Sequence, residues 1–314
     1  MNNKYDLHLV AVVEKGYLEH QLKLLILSVK QFLEPFLSVK IIAVSPRKNK
    51  QPNKKYISFL HQNNVDFIDI PLNKEHDFFP LCNGIYASDF VARTYNHINN
   101  LLLVDTDTLF LNPIEDKFLQ SKSIYMRAVD NKGIGSTGSK DSNNIFWDEV
   151  FEFFKLKPLS NKILTTVSQE LIRPYFNSGF IMINKNIDFM QQWKKDFVKL
   201  MNSKIRTDPS NSRHLVDYGF IEQMVISVTI EKMSAETNLL PQTYNYPIPF
   251  RPKIKNRPNH PKFNELVHVH YHKWFQHPGF LDYVTDDEEK KSEQYLWLKE
   301  HLPLLPEIGG DFKC

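Results

Sequence analysis

Residues 7–13 are apolar at nearly every position, the pattern of a strand covered on both faces. Positions 17–33 follow with Leu18, Leu22, Leu25, Ile26, Val29 and Phe32 at helical spacing, which puts one apolar stripe on a helix. Pro35 closes it, because its ring cannot continue the helix. Residues 40–45 read as a second strand, 47–55 as a solvated turn, 52–63 as a helix and 65–70 as a third strand. A helix over 85–98 then delivers the chain to Leu101-Leu102-Leu103-Val104, the most strand-like run in the protein, which ends at Asp105. Alternating strands and helices predict a parallel sheet with helices on its faces.

Further on, the pattern predicts strands at 123–127, 180–184 and 266–271 and helices at 146–156, 189–201 and 220–230. A polar loop rich in Gly and Ser spans 131–144, and no internal repeat occurs. One domain over 1–284 and a charged, then helical, tail over 285–314 are expected.

Composition narrows the class. Of 314 residues, 42% are hydrophobic, 24% charged and 13% aromatic, which is globular rather than disordered or collagenous. The 39 basic side chains against 36 acidic ones give a net charge of +3, too balanced for a chain that grips nucleic acid. Cys82 and Cys314 are too few for a disulfide framework and fit a reducing compartment. No run reaches the ~18 apolar residues that span a bilayer. A soluble, cytoplasmic protein without integral membrane association is expected.

Asp105-Thr106-Asp107 ends the most apolar strand, and in an open parallel sheet such strand ends line the ligand crevice. Two carboxylates at this spacing can turn toward one hard dication that also binds phosphate oxygens. A solvated strand end is the plain alternative. Residues 105–109 also match the first motif of haloacid-dehalogenase-like phosphatases, with the first aspartate as nucleophile and the second as general acid. That fold normally opens on this motif and needs a later acidic pair after an apolar strand, whereas Asp286-Asp287 lies in a charged tail.

His268-Val269-His270-Tyr271-His272 alternates, so in a strand its three imidazoles share one face. They fit either a zinc site of their own or a polar sheet face. Gly133-Ile134-Gly135-Ser136-Thr137-Gly138 spells GxGxxG, but no apolar helix opens behind it and no strand ending in an acid follows. A loop, mobile beside the active site or merely on the surface, is expected there instead. The basic segments 48–55 and 251–262 read as solvated loops, the second close enough to the histidines to meet a charged acceptor.

The run 101–113 resembles the metal-binding strand of GT-A glycosyltransferases, in particular the family-eight group of glycogenins and bacterial galactosyltransferase-like enzymes. Residues 10–28 look like that family's first strand and helix, 176–184 are similar to its Phe-Asn-Ser-Gly motif, and Glu222-Gln223 resembles its Asp-Gln pair. These islands extend over residues 10–274. The resemblance implies a Rossmann-like mixed, mainly parallel sheet flanked by helices, with a nucleotide-binding half over about 1–115 and an acceptor half over about 116–284. It implies a metal-dependent hexosyltransferase of polysaccharide biosynthesis, moving a sugar from a nucleotide diphosphate sugar to a saccharide, lipid-linked or protein acceptor. A non-catalytic nucleotide-sugar binding module would keep the fold and the metal without turnover.

By that resemblance Asp105, Asp107 and His270 hold Mn2+ or Mg2+, with His272 second to His270, and Lys273 stabilises the departing diphosphate. The family order His-x-x-Gly-x-x-Lys-Pro-Trp is compressed here to His270-Tyr271-His272-Lys273-Trp274, without the glycine and proline. Asn177, Ser178, the Gly179 backbone and Thr106 surround the donor; Gly179 lets backbone approach a ligand closely, and Asn177 offers donor and acceptor to sugar hydroxyls. Val13 and Tyr17 flank the nucleobase. Asp89 and Arg93 contact donor sugar and phosphate, or else form an i,i+4 surface salt bridge. Asp107, Asn177 and Glu222 are the catalytic candidates. Glu222 or Asp217 would be the base of an inverting reaction, whereas the resemblance favours retention.

Overall fold

Strands that are apolar on both faces need a helical layer on either side, and that need organises the chain. The computed structural model describes residues 6–95, 98–157, 161–185, 188–207 and 220–304. Strand β1 (Leu7–Val12), helix α1 (Tyr17–Phe32), β2 (Val39–Ser45), α2 (Lys54–Gln62) and β3 (Asp66–Asp69) follow the expected alternation. Helix α3 (Asn83–Thr94) stops four residues before the expected Ile98, because Tyr95 turns extended and donates its hydroxyl to Asp66. Then come β4 (Asn100–Val104), β5 (Thr108–Phe110), α4 (Asp116–Gln120), β6 (Ile124–Ala128) and α5 (Asn144–Phe153). The two-residue strands β7 (Ile163–Leu164) and β8 (Leu171–Ile172) precede β9 (Phe176–Asn184), α6 (Asp188–Met201), α7 (Lys204–Thr207) and α8 (Ile221–Met233). Strands β10 (Thr237–Leu239) and β11 (Tyr246–Pro247), helix α9 (Arg251–Ile254), β12 (His268–His270), α10 (Phe280–Val284) and α11 (Glu293–His301) complete it.

Seven strands form one sheet in the order β10-β6-β9-β4-β1-β2-β3. Its pairs are parallel except where β9 runs antiparallel between β4 and β6. Alternation along β4 sends Leu102 and Val104 to the α1 side, with Leu22, Leu25 and Val29, and Leu101 and Leu103 to the other side, with Ile85, Trp193 and Val225. A second sheet, β11-β12-β5, closes over the end of β4. The start of α1 is tied to α2 by the buried Glu19, which accepts from the backbone N–H of Gly16 and Asn53 and from the Asn53 side chain.

Residues 131–144 fold around one carboxylate. Asp141 accepts from the Lys132 ammonium at 2.8 Å, the Thr137 N–H at 2.9 Å, the Thr137 hydroxyl at 3.0 Å and the Asn143 N–H at 3.0 Å. The Trp147 indole donates to the Ile134 carbonyl and pins the loop to α5. The arginines of 251–262 turn inward rather than toward an acceptor. Arg251 is buried on the Val284 carbonyl and Glu289, and Arg257 donates to the carbonyls of Thr166 and Val167. Residues 285–304 pack onto the body through Tyr295, Leu298 and Leu304, and among the described residues no helix is long and apolar enough to cross a membrane.

Burial pushes the Asp141 carboxyl up, but Lys132, the two backbone N–H groups and the Thr137 hydroxyl outweigh it and hold it at about 2. A carboxyl lowered on folding stabilises above its unfolded range, near pH 4, and that contribution disappears as pH falls through about 2. Asp141→Asn is therefore expected to destabilise by about 2 kcal/mol at pH 7. Denaturant unfolding of wild type and variant should show that difference shrinking toward pH 2.

Candidate functional site

The central strand ends where it must bend: the Asp105 N–H donates to the Gly179 carbonyl, and the Thr108 hydroxyl donates back to the Asp105 carbonyl at 2.6 Å. Strand β5 then leaves antiparallel to β12, with Thr108 opposite His270, and the Tyr271 N–H donates to the Asp107 carbonyl at 3.0 Å. That register places Asp107 Oδ1 3.2 Å from His270 Nε2 and Oδ2 3.6 Å from His272 Nδ1. One carboxylate and two imidazoles thus offer donor atoms that all lie within 4.8 Å of one another. Burial draws the His270 imidazole down, but the Asp107 carboxylate overrides it and raises it, while the same contact holds Asp107 far below the carboxylate range.

The three histidines do not form the row expected from alternation. Strand β12 ends at His270, and His272 turns into the left-handed region at φ 52. His268 is wholly buried between the rings of Phe110 and Phe180, each 4.7 Å from it, and neither nitrogen has a hydrogen-bond partner among the described residues. Burial keeps it neutral, and it belongs to the core.

Gly179 serves the site by leaving room. A Cβ there would stand 2.8 Å from His270 Cε1 and 2.9 Å from Asn177 Oδ1. Asn177 lies within β9, not in a turn before it, and its Oδ1 accepts from the Gly179 N–H at 2.8 Å and the Asn245 amide at 2.9 Å. Its own amide NH2 is what remains for a ligand.

The triad opens on a cleft of about 500 Å³. Asp105, Thr106, Asn177 and Ser178 line the same end as Asp107, His270 and His272. Burial in the cleft floor and the neighbouring Asp107 carboxylate both push Asp105 upward, though it faces the opening. Glu222 and Gln223 line the cleft from the start of α8, where Phe220 is held at φ 69. Glu222 is 2% exposed, its Oε2 has no partner among the described residues, and burial first, then Asp105, raise its carboxyl to about 8.

Several cleft residues were not read from the pattern. Gln21 donates its amide to the His272 carbonyl at 3.3 Å and takes the Thr106 hydroxyl at 3.5 Å, joining the two turns of the triad. A polar residue beside the Leu18–Leu22 stripe was its available signal. At the far end Arg47 grips Glu14 with two nitrogens, and the Asn83 amide adds a third bond at 3.2 Å. Asp130, two residues beyond β6, lies in the field of His270, His272 and Arg127, with burial raising it above its ordinary range.

Other candidates fall elsewhere. Val13 is wholly buried in the core and Tyr17 packs against it, so Val12 and Leu18 form the cleft wall instead. Asp89 is buried and satisfied by Arg93 and Lys194, both at 2.7 Å, beside a separate groove between α3 and α6; the salt-bridge reading holds. Lys273 is exposed and outside the cleft lining, and Gly179 sits behind His270 rather than on the lining. None of residues 131–144 lines the cleft. Asp217 lies outside the described residues. Among the described residues Asp286-Asp287 does not line the cleft: Asp286 pairs with Lys255 and the exposed Asp287 with Lys290.

Residues 9–234 match the family model described as the Rhodobacterales glycosyltransferase domain. No curated protein matches in sequence. Among solved structures, an active-site mutant of LgtC aligns with a TM-score of 0.53 at 13% identity, covering 96% of this chain and 98% of that one. The galactosyltransferase LgtC in complex with donor and acceptor sugar analogs gives a TM-score of 0.52 at 13% identity, with the same coverage. That likeness is one of fold, and it is the GT-A arrangement that the sequence resembles.

Two outcomes follow from this geometry. Gly179→Ala forces the His270 ring out of its place, so divalent-metal affinity measured by titration calorimetry should fall about 10–100-fold while circular dichroism stays that of the wild type. The raised Glu222 carboxyl contributes stability that is complete below its unfolded range, near pH 4.5, and lost as pH rises through about 8. Glu222→Gln removes that loss, so the variant's melting temperature should exceed the wild type's at pH 9 by more than it does at pH 5.

Proposed function

The chain belongs to the Rhodobacterales glycosyltransferase family, and from that premise we propose that it moves a hexose from a nucleotide diphosphate sugar to an acceptor hydroxyl in a metal-dependent reaction. The observation that carries this reading is the Asp107–His270 contact, 3.2 Å long, at the cleft end of the central strand. A carboxylate beside imidazoles is a donor set that fits a divalent cation such as Mn2+ or Mg2+, with Asp105 facing the same opening. When bound there, such a cation offsets the charge that builds on a departing diphosphate.

The chain's own residues do the rest. The Asn177 amide, fixed with Oδ1 occupied, donates toward a sugar hydroxyl. Glu222, its carboxyl raised by burial, is suited to donating a hydrogen bond to the ligand, and it is the resemblance that favours retention. The apolar wall of Val12, Leu18 and Leu103 suits a nucleobase, while Lys273 stands exposed outside the lining. A saccharide acceptor is the reading that the LgtC complex supports, since it holds an acceptor sugar analog.

A screen of nucleotide sugars with manganese tests this. Wild type should release nucleoside diphosphate only with the metal present, and Asp107→Ala should lose at least about 100-fold of that rate. Metal-dependent ligand binding without release would mean a binding module, and phosphate release from phosphomonoesters would mean a phosphatase; either overturns the reading.

A further inference from the structure

A groove of about 620 Å³ runs between α3 and α6, on the face of the sheet opposite α1, and shares no lining residue with the cleft. Helix α3 turns Tyr86, Asp89 and Arg93 toward it, and α6 turns Lys194, Lys195 and Lys199, each set at helical spacing. With Lys74 from the segment before α3, five cations line the groove, and Asp89 and Glu75 are the lining carboxylates among the described residues. Lys195 and Lys199 stand four residues apart on one helix face, where like charges destabilise. Lys74 and Lys195 form no ion pair among the described residues. Neither helix packing nor the local ion pairs account for this excess of positive charge.

Two of the cations are held in place. The buried Asp89 accepts from Arg93 Nε at 2.9 Å and Nη2 at 2.7 Å, and from Lys194 Nζ at 2.7 Å. The Lys194 ammonium also stands 5.1 Å from the centroid of the Tyr86 ring, so it is fixed from two sides. One carboxylate cannot neutralise two cations, and it leaves most of the donors of the guanidinium and the ammonium unused, on side chains still partly exposed in the groove. Beside them Leu72, Tyr86 and Val198 give the groove an apolar wall, and its volume lies in the range of small-ligand sites. We propose that this groove is a second ligand site, separate from the transfer cleft, and that it takes a phosphorylated compound with an apolar arm. Arg93 and Lys194 hold the phosphate, the lysines of the rim add to the attraction, and the arm lies along Leu72, Tyr86 and Val198. A phosphate fits better than a carboxylate, because its larger charge and additional oxygens answer both a planar fork and several ammonium groups. The same chemistry occurs on a soluble phosphate ester and on a phospholipid headgroup, and the site is independent of the metal-dependent reading of the cleft.

The test uses the full chain with a chelator present, so that no cation in the cleft takes part. Phenyl phosphate, titrated by calorimetry, should bind wild type more tightly than inorganic phosphate, which lacks the arm, and should raise the melting temperature. The double variant Lys74→Gln, Lys195→Gln changes two exposed side chains, so it should melt like wild type without ligand and bind phenyl phosphate at least about 10-fold more weakly. Arg93→Gln should show at least the same loss, whereas Asp107→Ala, in the cleft, should bind like wild type. Flotation with phosphatidylcholine vesicles, with and without phosphatidic acid, separates the two sources. Capture of wild type by the phosphatidic acid vesicles, but not of the double variant, identifies a lipid headgroup; phenyl phosphate binding without capture identifies a soluble phosphate ester. Equal binding by wild type and both groove variants, loss in Asp107→Ala instead, phenyl phosphate no tighter than inorganic phosphate, or no binding of either probe overturns the proposal.

Discussion

The site depends on the antiparallel pairing of β5 with β12, which sets Thr108 against His270 and the Asp107 carbonyl under the Tyr271 N–H. Each strand is only three residues long, and net hydrogen bonding of about 1 kcal/mol per bond does not hold so short a ribbon in water. Burial does. Leu109, Phe110, Val269 and Tyr271 are all fully inaccessible, so slipping the register by one residue would turn apolar side chains out and carry Asp107 away from His270. The same burial that stabilises the ribbon therefore specifies the distance on which the chemistry rests.

A second constraint comes from behind. Strand β9 lies antiparallel beside β4, which brings the Gly179 carbonyl to the Asp105 N–H and the Gly179 Cα to the face of the His270 ring. Glycine is needed at 179 because any side chain would occupy the imidazole's space. Asn177, two residues earlier, shares that face and fixes its amide through the Gly179 N–H and Asn245. The Asp105 turn, the His270 ring and the Asn177 amide all rest against this one strand, so none can shift without the others.

The opening half of the fold was legible because its signal is local: apolar runs of strand length alternate with amphipathic helices from Leu7 to Val104, and each falls within a few residues of its expected place. The antiparallel insertion of β9 was not, since nothing in an apolar run states which neighbour it pairs with. Strand β5 was hidden by its length. Asp105, Asp107, Asn177, Glu222 and His270 all line the cleft, since strand ends and short motifs carry their chemistry in sequence. Val13 and Tyr17 stand off the cleft lining because one residue of register moves a strand or helix side chain to another face. Arg47 and Asn83 were invisible, and Gln21 only faintly marked, for a different reason: each acts through a partner distant in sequence, and only folding brings the pair together.

Electrostatics links these parts. Asp105, Asp107, Asp130 and Glu222 converge near one point, and their environments push them apart: Asp107 far down, the other three up. Of the nearby cations, Arg47 is committed to Glu14 at the far end and Arg127 faces Asp130, leaving the His270 imidazole to answer Asp107. Imidazolium answers Asp107 by protonation, and protonation removes the lone pairs that a metal requires. A dication held there, as proposed, would displace the His270 proton, so its affinity would rise with pH. Burial raises the Glu222 carboxyl, and burial together with the neighbouring Asp107 raises Asp105, so while His270 answers Asp107 these two keep raised values. A dication held by Asp107 and His270, as the metal-dependent reading requires, would favour the charged form of Asp105 through space.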